Sequence, residues 1–76
     1  MKEFFDYLVK NLVDQPDAVQ IQLIERENGT LIEVRVAPED VAKVVGRKGR
    51  IINSLRTLAM TVGARFGQRV RLELIN

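Results

Sequence analysis

The 76-residue sequence contains neither cysteine nor histidine. Without cysteine there are no disulfides, no thiolate chemistry and no cysteine-ligated metal. Without histidine the usual general base near neutral pH and the commonest metal ligand are both missing. No uncharged apolar stretch approaches the roughly 20 residues that a membrane span requires. The opening Met1-Lys2-Glu3-Phe4-Phe5-Asp6 scatters charge among apolar residues and does not read as a signal peptide. These absences lead to an expectation of a soluble cytoplasmic protein with no metal, cofactor or small-molecule substrate. One further absence is local: no carboxylate occurs between Val41 and Leu72.

That gap exposes a charge asymmetry hidden in the net +2. Residues 1–40 carry four basic and nine acidic side chains, whereas residues 41–76 carry eight basic and one acidic. A half-chain of one sign attracts polyanions and releases their counterions on binding. The length allows one domain, and 46% hydrophobic content is ordinary for a folded one. So small a domain gains much from efficient packing or from association.

Apolar periodicity orders the chain. Phe5, Leu8, Val9 and Leu12 recur at helical spacing, with Phe4 and Val13 widening the stripe, and Asp14-Gln15-Pro16 ends it. Val19, Ile21 and Leu23 alternate with polar residues, as do Ile32, Val34 and Val36; Asn28-Gly29 between them predicts an antiparallel hairpin. Pro38-Glu39-Asp40 suits a first helical turn, followed by Val41, Val44 and Val45. After Gly49 a longer helix is expected to about Arg65, its stripe made of Ile51, Ile52, Leu55, Leu58, Ala59, Val62 and Phe66, with Gly67 as its stop. Val70, Leu72 and Leu74 form a third strand. The order α-β-β-α-α-β, with one aliphatic face per strand, predicts an α+β domain: a three-stranded sheet covered on one face by three helices. Strands two and three are far enough apart in sequence to pair in parallel.

Gly46-Arg47-Lys48-Gly49 joins the last two helices. A Gly-x-x-Gly pair alone arises by chance in roughly one chain of this length in three. Its context gives it meaning. A turn needs glycine for its angles, but it does not need Arg47, Lys48 and Arg50 within four residues. Glycines let a phosphate approach the main chain, the helix start offers partial positive charge, and the three cations add full charge. Nucleotide hydrolysis is not indicated, because a P-loop needs four residues between its glycines and a following Lys-Ser/Thr. No catalytic residues are predicted.

Val44-Val45-Gly46-Arg47-Lys48-Gly49-Arg50-Ile51-Ile52 resembles the signature of KH domains, and the element order is similar to their type II arrangement. With Leu55-Arg56-Thr57-Leu58 it resembles more narrowly the small stand-alone bacterial KH proteins of the KhpA family. The resemblance covers essentially the whole chain. It implies an RNA chaperone or regulator that holds about four nucleotides of single-stranded RNA across the loop and an adjacent aliphatic groove. Phosphate contacts would map to Gly46, Arg47, Lys48 and Gly49, with Arg50 added by its charge and Val45 and Ile52 as groove residues. Family members are associated with self-dimerisation, with a second KH protein of the Jag/EloR type, and with control of cell elongation and division.

Several other residues admit two readings. Arg69 and Arg71 are expected to balance Glu33 and Glu73 across the sheet rather than bind RNA. Lys43 and Arg56 either steer RNA or are simply solvated. Phe4, Phe5, Tyr7 and Phe66 are expected to pack, since aromatics are only 5% of the chain and a base-stacking sheet would need more. On the long helix, Asn53, Thr57, Leu58, Met60, Thr61 and Ala64 form an outward face without charge, a candidate dimer seam. A protein-interaction adaptor acting through that seam is the competing function.

Overall fold

The structure, a computed structural model, describes all 76 residues. Helix α1 (Lys2–Lys10) leads through a 3₁₀ turn at Pro16–Ala18 into strands β1 (Gln20–Arg26) and β2 (Gly29–Arg35). A second 3₁₀ turn, Pro38–Asp40, opens α2 (Val41–Val45); a third, Arg47–Gly49, joins α2 to α3 (Arg50–Arg65), and β3 (Val70–Leu74) completes the chain. This is the expected element order.

The sheet order is β1-β2-β3. β1 pairs antiparallel with β2, from Gln20 opposite Arg35 to Arg26 opposite Gly29. β3 pairs in parallel with β2, from Thr30 opposite Val70 to Val34 opposite Leu74. One face, built from Val19, Ile21, Ile32, Val34, Val70 and Leu72, is buried beneath Phe5 and Val9 of α1, Val44 of α2, and Ile52, Leu55 and Ala59 of α3. The helices therefore share one side of a mixed sheet, as the single aliphatic face of each strand requires. No helix is long and apolar enough to cross a membrane.

Three local details depart from the sequence pattern. The hairpin turn is centred on Glu27 and Asn28 rather than on Asn28-Gly29, and neither central residue has positive φ; Gly29, at φ 144°, already belongs to β2. Leu23 lies on the buried-face register but is 37% exposed, being on the edge strand β1, whereas its partner Ile32 on the central β2 is fully buried. The open sheet face is not wholly polar, since Ile24 and Leu31 sit directly opposite each other on it, both half-buried. Gly67 does stop α3: its N–H donates to the Ala64 carbonyl and the Gln68 N–H to that of Gly63, with Gly67 at φ 69°.

Candidate nucleic-acid interface

Three of the five residues with positive φ fall in Gly46–Gly49. Gly46, at φ 77° and ψ 176°, occupies a region essentially reserved for glycine. A Cβ there would also lie 2.6–2.9 Å from the Ile51 side chain. Gly49, at φ 76° and ψ 15°, is left-handed, but a Cβ would meet nothing closer than 3.8 Å. Between them Lys48, at φ 57°, is the one non-glycine residue with positive φ, a conformation costing roughly 1–2 kcal/mol. The Gly49 N–H closes the turn on the Gly46 carbonyl at 3.2 Å.

The electrostatics also run against stability. α3 begins with Arg50, has no acidic residue in its first turn and receives no side-chain cap. Cations are disfavoured at a helix N-terminus, and the first-turn N–H groups have no intrahelical partners. Arg47, Lys48 and Arg50 are all exposed and none enters an ion pair. The turn is thus strained at Lys48 and sets three uncompensated cations around a bare helix start, chemistry that an anion would complement.

The aliphatics beside the turn divide differently from the expectation. Val45 is half-buried and offers surface. Ile52 is only 6% exposed and belongs to the core, because it shares a helical stripe with Leu55 and Ala59. Ile51, half-buried and packed over Gly46, is the second aliphatic at the surface.

Tertiary contacts sort the remaining cations. Lys43 Nζ pairs with Asp14 at 3.0 Å and Asp40 at 3.6 Å. Arg56 reaches Glu73 at 3.6 Å and donates to Asn53 Oδ1 at 3.2 Å. Both are thus occupied by the protein's own acceptors. Arg71 meets Glu73 of its own strand, at 3.8 Å, rather than a cross-strand partner, and Arg69 forms no ion pair. Of the aromatics, Phe5 is fully buried, with Phe4 edge-on to it at 5.2 Å. Tyr7 and Phe66, expected to pack, are 66% and 70% exposed. Phe66 leaves the stripe because α3 ends one residue before it. Asn53, Thr57, Leu58, Met60, Thr61 and Ala64 are all exposed. Leu58, counted on the core stripe as well, lies at 40% on its margin.

The periodic pattern gave no sign of Asp40. Its carboxylate is 1% exposed and accepts the backbone N–H groups of Asp14, at 3.2 Å, and Gln15, at 3.0 Å. Burial alone would raise its pKa, but those two donors and the Lys43 ammonium outweigh it and hold the carboxyl below its ordinary value. Beside it Gln15 Nε2 donates to Glu39 at 2.8 Å and lowers that carboxyl too. Asp14 in turn raises the Lys43 pKa through their hydrogen bond. This cluster moors the start of α2, and so the approach to the glycine turn, to the loop after α1. A second acid in a first helical turn, after Glu39, gives no signal of partners 25 and 26 residues away.

Comparison with known proteins identifies the family. The family model described as KhpA/KhpB, KH domain, matches residues 2–74. A protein of Borreliella burgdorferi named RNA-binding protein KhpA is 42% identical over 74 residues, covering 97% of this chain and 90% of its own. Proteins of the same name from Streptomyces coelicolor and Chlamydia pneumoniae are 43% and 41% identical, covering 100% and 99% of this chain and 92% and 96% of theirs. A helix-turn-helix unit carrying Gly-Arg-Lys-Gly, set on a mixed sheet with β2 and β3 parallel, and matched from end to end by such relatives, places the chain in the KhpA/KhpB family of KH-domain proteins.

Proposed function

We propose that this protein binds single-stranded RNA by its sugar-phosphate backbone, with Gly46, Arg47, Lys48, Gly49 and Arg50 as the clamp and Val45 and Ile51 as the aliphatic flank. Ile52 supports that flank from the core. The observation that carries the reading is the glycine-bounded turn, strained at Lys48, whose three cations have no carboxylate partner. The names of the relatives as RNA-binding proteins point the same way. A backbone grip carries little base information, so selectivity is low, which suits an RNA chaperone or regulator. Exchanging Arg47 and Lys48 together for Asp tests it. Each charge-assisted contact is worth roughly 1.5–3 kcal/mol, so affinity for a short oligoribonucleotide falls at least about a hundredfold. The turn is exposed, so the circular dichroism spectrum stays the same. Retained affinity at moderate salt sinks the proposal.

A second reading rests on α3. Leu58 and Met60, 40% and 55% exposed, lie on its outward face with Asn53, Thr57, Thr61 and Ala64, a face charged only at its two ends, by Arg50 and Arg65. That face suits a seam with a second copy or with a KH protein of the Jag/EloR type, making the chain an adaptor as well as an RNA binder.

A further inference from the structure

One edge of β1 is left open along its whole length, because β2 lies on its other side and β3 beyond that. Which groups that edge presents follows from the bonding of β2. The Thr30 N–H donates to the Arg69 carbonyl at 2.7 Å, and the Val34 carbonyl accepts the Ile75 N–H at 2.9 Å, so the even-numbered residues of β2 bond toward β3. Leu31, Glu33 and Arg35 therefore bond toward β1, where they face Ile24, Gln22 and Gln20. The residues between, Ile21, Leu23 and Glu25, aim their N–H and carbonyl groups outward, and no backbone hydrogen bond outside the ladder engages them. Natural sheets guard such an edge with proline, a bulge or charge. β1 has no proline, its register against β2 is uninterrupted, and its charges are confined to the last two residues, Glu25 and Arg26. Leu23 is 37% exposed on one face of the strand, and Ile24 is half-buried on the other.

We infer that the free edge of β1 is a docking site for an extended segment of a partner protein, apolar at its centre and basic at its ends, which joins the sheet as a further strand. Ile21, Leu23 and Glu25 supply the backbone bonds, and Leu23 and Ile24 give apolar contact on the two faces. Charge selects the partner. Asp17, before the strand, and Glu25 and Glu27, at its far end, pair with no cation of the chain, whereas Asp6 of the neighbouring α1 is already matched by Lys10 at 3.0 Å. An incoming strand thus meets unpaired carboxylates at both ends, with Arg26 the one opposing charge in β1. A second copy of β1 is the poorer occupant, since antiparallel pairing carries its Glu25 and Glu27 toward Asp17. β2 separates β1 from β3, and β1 contributes no residue to the glycine turn, so the edge and the clamp are independent sites. The inference therefore does not rest on the RNA-binding reading.

The probe is a labelled nonapeptide of alternating valine and threonine with two lysines at each end, followed by fluorescence polarisation. The parent protein binds it at least about tenfold more tightly than the same peptide with its central amides N-methylated, which keeps every side chain but cannot pair as a strand. A version with glutamate in place of the lysines also binds more weakly. Leu23→Pro removes one outward N–H and no ladder bond, so peptide affinity falls at least about tenfold. Its circular dichroism spectrum and its affinity for a tetrauridylate stay the same. Asp17→Lys/Glu25→Lys/Glu27→Lys reverses the preference toward the glutamate-ended peptide; this variant and the N-methylated peptide decide the matter if Leu23→Pro does not fold. Equal binding of the N-methylated peptide, or undiminished binding by folded Leu23→Pro, overturns the docking site. Displacement of the tetrauridylate by the peptide puts the peptide on the clamp and also rejects it. Self-association without peptide that Leu23→Pro abolishes, seen by sedimentation, assigns the edge to a second copy and rejects the partner segment.

Discussion

At the scale of single residues, the glycine turn sets function against stability. Gly46 and Gly49 look equivalent in sequence but do different work. Gly46→Ala meets both a forbidden backbone region and the Ile51 side chain, and is expected to cost roughly 2–4 kcal/mol. Gly49→Ala meets only a left-handed angle in open space, for roughly 1–2 kcal/mol. Urea denaturation of the two variants checks the ranking. Lys48→Gly relieves roughly 1–2 kcal/mol of left-handed cost and adds roughly 0.5–1 of glycine entropy, a net gain of up to about 1.5 kcal/mol. The same change removes a clamp charge and weakens RNA binding, so melting temperature and affinity move in opposite directions. The cations of the turn were legible from their density in the sequence. The strain at Lys48 and the inward turn of Ile52 were not, because both are set by how α3 seats on the sheet.

At the scale of elements, α2 is only five residues long and far too short to persist alone. It is held at one end by the Asp40 cluster and at the other by the Gly46 turn. The Asp40 carboxyl is held below its ordinary pKa in the folded chain, so its contribution is complete above the unfolded value of about 4 and is lost as pH falls through the folded one. Thermal melts from pH 6 down to pH 2 are therefore expected to fall less steeply for Asp40→Asn than for the parent, with the variant less stable at pH 6. Parallel curves would remove Asp40 from that role. The raised Lys43 pKa acts at the opposite limit, its contribution present below about pH 10 and lost above the folded value. Hydrogen exchange places the damage, with faster exchange along α2 and the turn in Asp40→Asn than along β2.

At the scale of the whole molecule, a 76-residue domain has a total stability of about 4–11 kcal/mol at typical values per residue. Leu55→Ala, in the centre of the core, costs roughly 2–5 kcal/mol and removes much of that, as chemical denaturation would show. Association is the other route to stability for so small a chain, and the outward face of α3 between Arg50 and Arg65 is its candidate surface. A charge there, Thr61→Glu, is expected to lower the sedimentation coefficient at a given concentration; unchanged sedimentation rejects the seam. Three phosphate contacts at the clamp predict a log-log salt slope near −2 for a short single strand, since each contributes about −0.7.

Element order, the strand faces and the cationic turn followed from the sequence by itself, because helical and strand periodicities and glycine's conformational range are local properties of consecutive residues. Ion-pairing is not local. Lys43 and Arg56 carry the same charge as Lys48 and Arg47, and only the folded chain brings Asp14, Asp40 and Glu73 to the first pair and nothing to the second. Which charges remain free for a ligand is decided by distances through space, and those exist only once the sheet and helices have packed.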